Sequence, residues 1–479
     1  MCALQGCAHQ SLLVSPDAKR AALSSYLRGL MLERSANLPH ALSAYEQALE
    51  HDDRSPSLHV RIGATYVKLG QSDKAFESFQ QALSLDPSQP DALRWIAMLQ
   101  TSHGRIDEAV QAYERLSAQE PPDRFVLSTL ADLYVLQGNV TRALAIYERL
   151  IREFGPSHQL HFNMGILYGR MGRYAEALQE LSRAFELDPE SVEIRVALGL
   201  TYELSERPEQ AIAHYEDAIR IDPLNPRLYL LAARAAAAHE DAARAIQHYE
   251  TVLELAPADA EAILGLVRLW LKARSFDHAQ NLVGAKLHAF GPQADLYLLL
   301  GLVYREAGAE QEAVRAFERA TELDRASAQA CFYLGAELER LERPEPARAA
   351  FRRAIELDPH HAEALNYLGY MDVERGTNLE AAQQLIERAL ALDPSNGAYV
   401  DSLGWCYYQR GQLDQAIEQL ERASTLLGTD PAIFDHLGDA HFKHGDLEQA
   451  RAAWQKAVEL DPKMDAIVKK LKQLHEADR

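Results

Sequence analysis

The sequence repeats itself with a period of 34 residues. Similar phrases recur, such as FQQALSLDP at residues 79–87, LSRAFELDP at 181–189 and FRRAIELDP at 351–359. An alanine marks the same position in thirteen consecutive units, and one step alone is 35 residues long. These alanines are Ala41, Ala75, Ala109, Ala143, Ala177, Ala211, Ala245, Ala279, Ala313, Ala347, Ala382, Ala416 and Ala450. The period predicts a stack of similar small units rather than one enclosed core.

Each unit is predicted to form two helices joined by a short turn. In residues 56–89, apolar residues with helical spacing lead to Gly70, which favours a helix end. A second apolar stripe follows and stops at Pro87, because a proline cannot continue a helix. A small residue lies twelve positions before nearly every repeated alanine, where a bulky side chain would push the paired helices apart, and Val267 breaks this rule. The aromatic residue of each second helix, such as Phe79, is expected to fill the space between units.

This order of small, aromatic and proline residues resembles the tetratricopeptide repeat over residues 22–464. The resemblance implies an all-α fold, a right-handed solenoid of about 13 antiparallel helix pairs with a concave groove. We interpret residues 1–17 as an N-terminal tether, 18–464 as the repeat superhelix and 465–479 as a capping helix with its lysines turned outward. The repeats are predicted to start near residues 22, 56, 90, 124, 158, 192, 226, 260, 294, 328, 362, 397 and 431.

Two irregularities interrupt the repeat. The single longer step is predicted to place its extra residue in the turn at residues 374–378. Repeats seven and eight, residues 226–293, depart most from the pattern, because Lys286 replaces an alanine and the phrase Phe290-Gly291-Pro292 replaces the usual ending. Two interpretations stay open for this region: divergence that is compensated by repacking, or a flexible joint between two halves of the array.

Composition and motifs argue against several classes of function. The net charge of −21 disfavours nucleic acid as a partner, because such a surface repels phosphate. We find no phosphate-binding loop, nucleophile elbow or dinucleotide fingerprint, so we expect no enzyme activity, no cofactor and no small-molecule substrate. Cys331 and Cys406 are interpreted as small core residues. For the polar cluster FDHLGDAHFKHG, residues 434–445, we weigh a metal site against a partner-facing surface or ordinary surface chemistry, and predict no metal.

Repeats seven to nine carry basic and apolar residues at positions that line the groove in the tetratricopeptide family. The resemblance implies that these positions are 2, 5, 6, 9, 12 and 13 of each first helix. Such a strip suits an acidic, amphipathic segment of a partner, although charge scatter on a solvated face is the simpler interpretation. Its members are Arg227, Leu231, Arg234, Arg268, Lys272, Leu299, Leu302 and Arg305.

Repeats eleven to thirteen place aromatic rings beside hydrogen-bonding groups at the same positions. This combination is enriched at the hot spots of protein interfaces, so we predict the principal partner site here. The candidate residues are Asn366, Tyr367, Tyr370, Asp401, Trp405, Tyr408, Asp435 and Asp439.

The segment Leu4-Gln5-Gly6-Cys7 resembles a bacterial lipobox, in which the cysteine receives lipid. A signal needs a basic start and an apolar core of about 7–15 residues, whereas six residues precede Cys7. Either the first residue lies inside a longer signal, or the match is accidental in a cytosolic protein. The C-terminal repeats are also similar to large bacterial tetratricopeptide proteins, many of them envelope lipoproteins. We therefore expect a lipid-anchored, periplasm-facing envelope protein, with a cytoplasmic location as the alternative.

The leading hypothesis for function is a non-catalytic scaffold that binds peptides or protein segments in its groove, within a bacterial envelope assembly such as one at the outer membrane. One alternative is a cytosolic adaptor or chaperone-associated protein. Another is a helper subunit of a separate enzyme or secretion complex.

Overall fold

The structure, a computed structural model, describes residues 16–477 and the side chains of residues 17–474. Over this range the backbone forms 27 α-helices and no strand, which confirms the all-α fold class. In chain order they are α1 (Pro16–Arg34), α2 (Leu38–His51), α3 (Pro56–Lys68), α4 (Ser72–Leu85), α5 (Pro90–Ser102), α6 (Ile106–Ser117), α7 (Arg124–Leu136), α8 (Val140–Phe154), α9 (His158–Arg170), α10 (Tyr174–Leu187), α11 (Val192–Leu204), α12 (Pro208–Ile221), α13 (Pro226–Ala238), α14 (Ala242–Leu255), α15 (Ala260–Lys272), α16 (Phe276–Phe290), α17 (Ala294–Glu306), α18 (Glu310–Leu323), α19 (Ala328–Arg340), α20 (Pro344–Leu357), α21 (Ala362–Glu374), α22 (Leu379–Leu392), α23 (Gly397–Gln409), α24 (Leu413–Leu426), α25 (Pro431–His444), α26 (Leu447–Leu460) and α27 (Asp465–Ala477).

Each repeat is a pair of helices, with an odd-numbered first helix and an even-numbered second helix. From repeat two onward, the first helices begin at the predicted repeat starts, from Pro56 to Pro431. The first repeat differs, because α1 begins at Pro16 rather than near residue 22. Proline is tolerated in a first helical turn, and Asp17 beside it interacts favourably with the helix dipole, so the helix extends upstream.

Where the small residue of a first helix is glycine, it faces a large side chain of the second helix in the same repeat. A Cβ atom added at Gly63 would lie 2.6 Å from the ring of Phe79, and one at Gly199 would lie 2.4 Å from that of Tyr215. The expectation that these rings fill the space between repeats was therefore incomplete. The ring of Phe79 closes its own helix pair and also stacks on Trp95 of the next repeat, with centroids 5.8 Å apart.

Repeat eight solves the same packing problem with different residues. Val267 stands where other repeats have a small residue, and Val283 stands where they have a larger side chain. Both valines are fully buried in one apolar cluster. Two medium side chains thus replace one small and one large side chain, which shows that this departure from the pattern is compensated by repacking.

The turn of repeat eleven contains the extra residue of the 35-residue step. Residues 375–378 separate α21 from α22, whereas residues 69–71 separate the helices of repeat two. Gly376 and Asn378 both have positive φ, at 63° and 50°, which lets the longer turn close. The predicted position of the insertion is confirmed.

The chain divides into two compact units, one ending at His239 and the other beginning at Glu240. The boundary lies between α13 and α14, inside repeat seven. Repeat seven is one of the two repeats for which a flexible joint was considered, and that motion stays a prediction.

Candidate functional site

Trp405 lies at the centre of a group of side chains on the first helices of repeats eleven to thirteen. Its indole stacks on Tyr408, with centroids 4.4 Å apart, and on His436 of the next repeat, at 4.2 Å. Its Nε1 donates a hydrogen bond of 2.8 Å to Oε1 of Glu374 in the preceding repeat. The ring therefore ties three consecutive repeats together. We refer to Tyr370, Asp401, Trp405, Asp435 and Asp439, with their partners, as the acidic–aromatic face.

Asp401 is bound inside this face rather than presented to solvent. It is 8% exposed, and both of its carboxylate oxygens lie within 3.1 Å of Nδ1 of His436. Burial lowers the pKa of His436, but the hydrogen bond and charge of Asp401, with the nearby Asp435 and Glu374, outweigh burial and raise that pKa. Asp401 therefore contacts His436 within the chain, and its role as a direct partner contact stays a prediction.

Asp435 and Asp439 also have a partner within the chain, in helix α27. Nζ of Lys470 donates to Asp435 at 2.7 Å and to Asp439 at 2.6 Å, and Nε1 of Trp454 donates to Asp439 at 3.1 Å. Burial lowers the pKa of Lys470, but the two carboxylates prevail and raise it; at Asp439 burial prevails and raises the pKa. Lys470 was expected to face outward, but its long stem lets the ammonium reach back to these acids.

Asn366 and Tyr370 lie on helix α21 of repeat eleven. Burial and the acceptor at Glu374 raise the pKa of Tyr370. Asn366 is buried, and its Oδ1 has no hydrogen-bond partner within residues 17–474. The role of these two residues as partner contacts stays a prediction.

An aromatic cleft of about 410 Å³ opens at the edge of this face. Phe442 forms one wall and is 50% exposed, although sequence reasoning did not single it out. Phe442 has the groove-lining position twelve of repeat thirteen, which Tyr408 has in repeat twelve. That position could have identified it from the sequence. The cleft is lined by Tyr408, Asp439, Phe442, Trp454, Lys470, Gln473 and Leu474.

A second cleft, of about 580 Å³, lies along α15, α17 and α19, and we refer to it as the leucine cleft. It includes Arg268, Leu299 and Leu302 from the predicted basic and apolar strip. Its lining residues are Ala258, Ala260, Ile263, Leu264, Val267, Arg268, Leu271, Phe290, Gln293, Asp295, Leu296, Leu298, Leu299, Leu302, Gln329 and Tyr333.

The other members of that strip do not line the leucine cleft. Arg305 places its guanidinium 5.1 Å from the ring centroid of Tyr333, so it borders the leucine cleft. Lys272 pairs with Glu240 at 3.1 Å and does not line the cleft. Arg227, Leu231 and Arg234 lie on α13, in the first compact unit.

The polar cluster at residues 434–445 is occupied by pairwise contacts. His444 lies between Asp446, at 2.7 Å, and Asp414, at 3.1 Å. In the part of the chain that the structure describes, no three or more His, Cys, Asp or Glu side chains are arranged to hold a metal ion. His444 therefore contacts one acid of its own repeat and one of the preceding repeat.

Both internal cysteines are buried free thiols, as predicted for core residues. Burial raises the pKa of Cys406 to about 11, which leaves it protonated and unreactive at neutral pH. Cys7, the predicted lipidation residue, lies outside the described residues. Among the helices of residues 16–477, none has the length and apolar run needed to cross a bilayer.

Family models of the tetratricopeptide repeat match several stretches of the chain. The matched residues are 66–127, 162–226, 236–301, 294–327, 334–397, 404–445 and 431–464. A further model, described as anaphase-promoting complex, cyclosome, subunit 3, matches residues 102–184. A search of curated proteins finds no match.

Three solved structures are similar over most of this chain. An APC/C hetero-tetramer, Cut9–Hcn1, is 15% identical with a TM-score of 0.45, covering 97% of this chain and 99% of that one. A structure of Naa15/Naa10 bound to HypK-THB is 17% identical with a TM-score of 0.41, covering 84% and 68%. Yeast Tom70 is 16% identical with a TM-score of 0.32, covering 96% of both chains.

Proposed function

Because the chain belongs to the tetratricopeptide repeat family, we propose that it is a non-catalytic scaffold that binds a protein partner on the first helices of its last three repeats. Such repeats typically serve protein interaction. The surface in question is the acidic–aromatic face together with the aromatic cleft at its edge.

The aromatic cleft is the observation that carries this proposal. Phe442 is 50% exposed and lies 5.5 Å from Trp454 between ring centroids, and Tyr408 and the ion-paired Lys470 and Asp439 line the same cleft. An aromatic or aliphatic side chain of a partner can enter between such walls and become desolvated, as the anchors of protein interfaces do.

The acidic–aromatic face supports this cleft by holding it in one arrangement. Trp405 stacks on Tyr408, and Lys470 fixes Asp439 against Trp454. Side chains that are already ordered lose less conformational entropy on binding, so a pre-arranged cleft retains more of its contact free energy as affinity.

The test begins with the partner recovered from native cells by chemical crosslinking. Phe442→Ala should weaken its binding to the full chain about tenfold or more, equivalent to about 1.4 kcal/mol. Leu447→Ala is the matched control, because Leu447 is 39% exposed in the second helix of the same repeat. Equal binding by wild type and a folded Phe442→Ala variant would place the partner elsewhere.

The scaffold is further proposed to be lipid-anchored at Cys7 in a bacterial envelope assembly. The motive is the lipobox-like segment Leu4-Gln5-Gly6-Cys7, together with the expectation from sequence that the C-terminal repeats resemble large bacterial tetratricopeptide proteins, many of them envelope lipoproteins. Acyl chains contribute about 0.8 kcal/mol per buried methylene, so several chains would hold the protein at a membrane surface. Intact mass and cell fractionation of the full-gene product test this point. A chain without lipid on Cys7 that stays in the cytosolic fraction would contradict it.

A further inference from the structure

The leucine cleft is separate in sequence from the proposed partner site of the last three repeats. Aliphatic side chains from α15 and α17 form most of its lining, and Leu271 and Leu299 rest half-buried on the apolar core of repeats eight and nine. Clefts of about 300–1,000 Å³ with apolar walls and a few polar groups are typical of binding sites.

Arg268 supplies positive charge beside the leucines. Its side chain is exposed, and it forms no ion pair, hydrogen bond or ring contact within residues 17–474. Arg305 adds a second guanidinium at the border, over the ring of Tyr333. In a chain of net charge −21, an unpaired arginine at the edge of an apolar cleft is complementary to a carboxylate on an incoming apolar group.

Asp295 gives the cleft a direction. It is the second residue of α17, whereas Arg268 is the ninth residue of α15. The first helices of neighbouring repeats run the same way, so the two charges are offset by about 10 Å along the helix axes. A carboxylate is favoured at the Arg268 end and disfavoured at the Asp295 end.

The rim favours a polypeptide over a simple acyl chain. Gln293 and Gln329 line the cleft with exposed side chains, and each amide offers both donors and an acceptor. A peptide backbone can use both kinds of group along its length, whereas the hydrocarbon part of a fatty acid can use neither.

We propose that the leucine cleft binds an acidic, amphipathic segment of a partner protein, with its apolar side chains in the cleft and a carboxylate paired with Arg268. This deepens the proposed role as a scaffold by adding a second binding site of stated chemistry. It rests on that role, but its residues are distinct from those of the aromatic cleft, so the two sites can fail independently.

A displayed library of random twelve-residue peptides, selected against the full chain, tests the proposal. Wild type should enrich peptides that combine Leu, Ile or Phe with Asp or Glu. A synthesised winner, followed by fluorescence anisotropy, should bind Arg268→Glu at least tenfold more weakly and Leu302→Gln more weakly as well. Phe442→Ala should leave this binding unchanged, which separates the two sites.

Arg315→Glu is the matched charge reversal, because Arg315 is exposed on the second helix α18 of repeat nine. It should bind the winner as wild type does, and circular dichroism should show equal helix content in all variants. Absence of enrichment, enrichment of basic peptides, or equal affinity of wild type and Arg268→Glu would each overturn the proposal. If both arginine variants bound the winner as tightly as wild type, and a fluorescent fatty acid bound saturably, the cleft would be an acyl-chain site. That result would also overturn the proposal.

Discussion

Two regions of the second compact unit use the same groove positions with opposite chemistry. Positions five, nine and twelve of the first helices carry aliphatic and basic residues at the leucine cleft, but acidic and aromatic residues on the acidic–aromatic face. For repeats eight and nine they are Leu264, Arg268, Leu271, Leu298, Leu302 and Arg305; for repeats twelve and thirteen they are Asp401, Trp405, Tyr408, Asp435, Asp439 and Phe442.

The difference shows that the neighbouring repeat decides whether a groove side chain is available. Asp401 is bound by His436 of the next repeat, and Asp435 is bound by Lys470 of the capping helix α27. Leu299 and Leu302 are only partly buried, and the exposed part of each side chain lines the cleft. The face that looks richest in contact groups is therefore the one that is already most occupied by its own chain.

The largest expected effect follows from Trp405→Ala. This change removes two ring contacts and the hydrogen bond to Glu374, so it should lower the free energy of opening of α23 by about 3 kcal/mol. Leu302 is half-buried in the leucine cleft, so Leu302→Ala should lower the free energy of opening of α17 by only about 1 kcal/mol. Amide hydrogen exchange on the two variants measures both values. Equal losses would show that Trp405 is not held as described.

The second prediction concerns the valine pair behind the leucine cleft. Val283→Phe alone should destabilise repeat eight by about 1–3 kcal/mol, because Val267 occupies the space that a small residue leaves in other repeats. Adding Val267→Gly should recover most of that loss, because repeat eight would then pair a small residue with a large one as most other repeats do. Urea unfolding of both single variants and the double variant gives the coupling free energy. If the two single-variant effects simply added, the two valines would not be replacing one small and one large side chain as described.

The third prediction is a pH dependence of the stability of the last repeats, centred on His436. The folded pKa of His436 is raised, so its stabilising contribution is fully present below the unfolded value of about 6.5 and is lost as pH rises through the folded value. The free energy of opening of α23 and α25 should therefore fall as pH rises from below about 6.5 to above the folded pKa of His436. Amide exchange rates, corrected for their intrinsic pH dependence, measure this change. The hydrogen bond and charge of Asp446 raise the pKa of His444 and act in the same direction.

The control for this pH effect is a pair of variants. His436→Gln should remove most of the dependence, and His436→Gln with His444→Gln should remove the rest. A slope that persists in the double variant would assign the effect to other groups.

The smallest expected effect compares exchange rates along the chain. Repeats seven and eight, which contain the boundary between the compact units, should show the fastest amide exchange among the internal repeats. The helices of the acidic–aromatic face should be slower, because bonds between repeats hold them. Uniform protection across residues 200–320 would remove the idea of a joint.

The fold was predictable because one packing solution recurs at fixed spacing. A small residue is followed by a large one sixteen positions later in most repeats, and Val267 and Val283 keep that spacing. In repeat eleven the inserted residue makes the spacing seventeen, from Gly369 to Ile386. The extra residue before Ala382 was located because Gly369 keeps the regular spacing while the alanine does not.

The candidate site was less predictable, because its contacts join repeats that sequence reasoning treated one at a time. Asp401 and His436 are 35 residues apart, as are Asp435 and Lys470. An acid at position five of a first helix, followed by a basic residue at position six of the next first helix or of the capping helix, was the missed signal. Side-chain reach, as for Lys470, and cleft shape depend on neighbouring volumes, which spacing alone does not contain.

The most direct test of the account is hydrogen exchange of the full chain with and without the partner recovered by crosslinking. The account predicts that binding slows exchange in the first helices α23 and α25, which carry Tyr408 and Phe442, and leaves the second helices α24 and α26 unchanged. Protection centred on α24 and α26, with α23 and α25 unaffected, would contradict binding through the first-helix face.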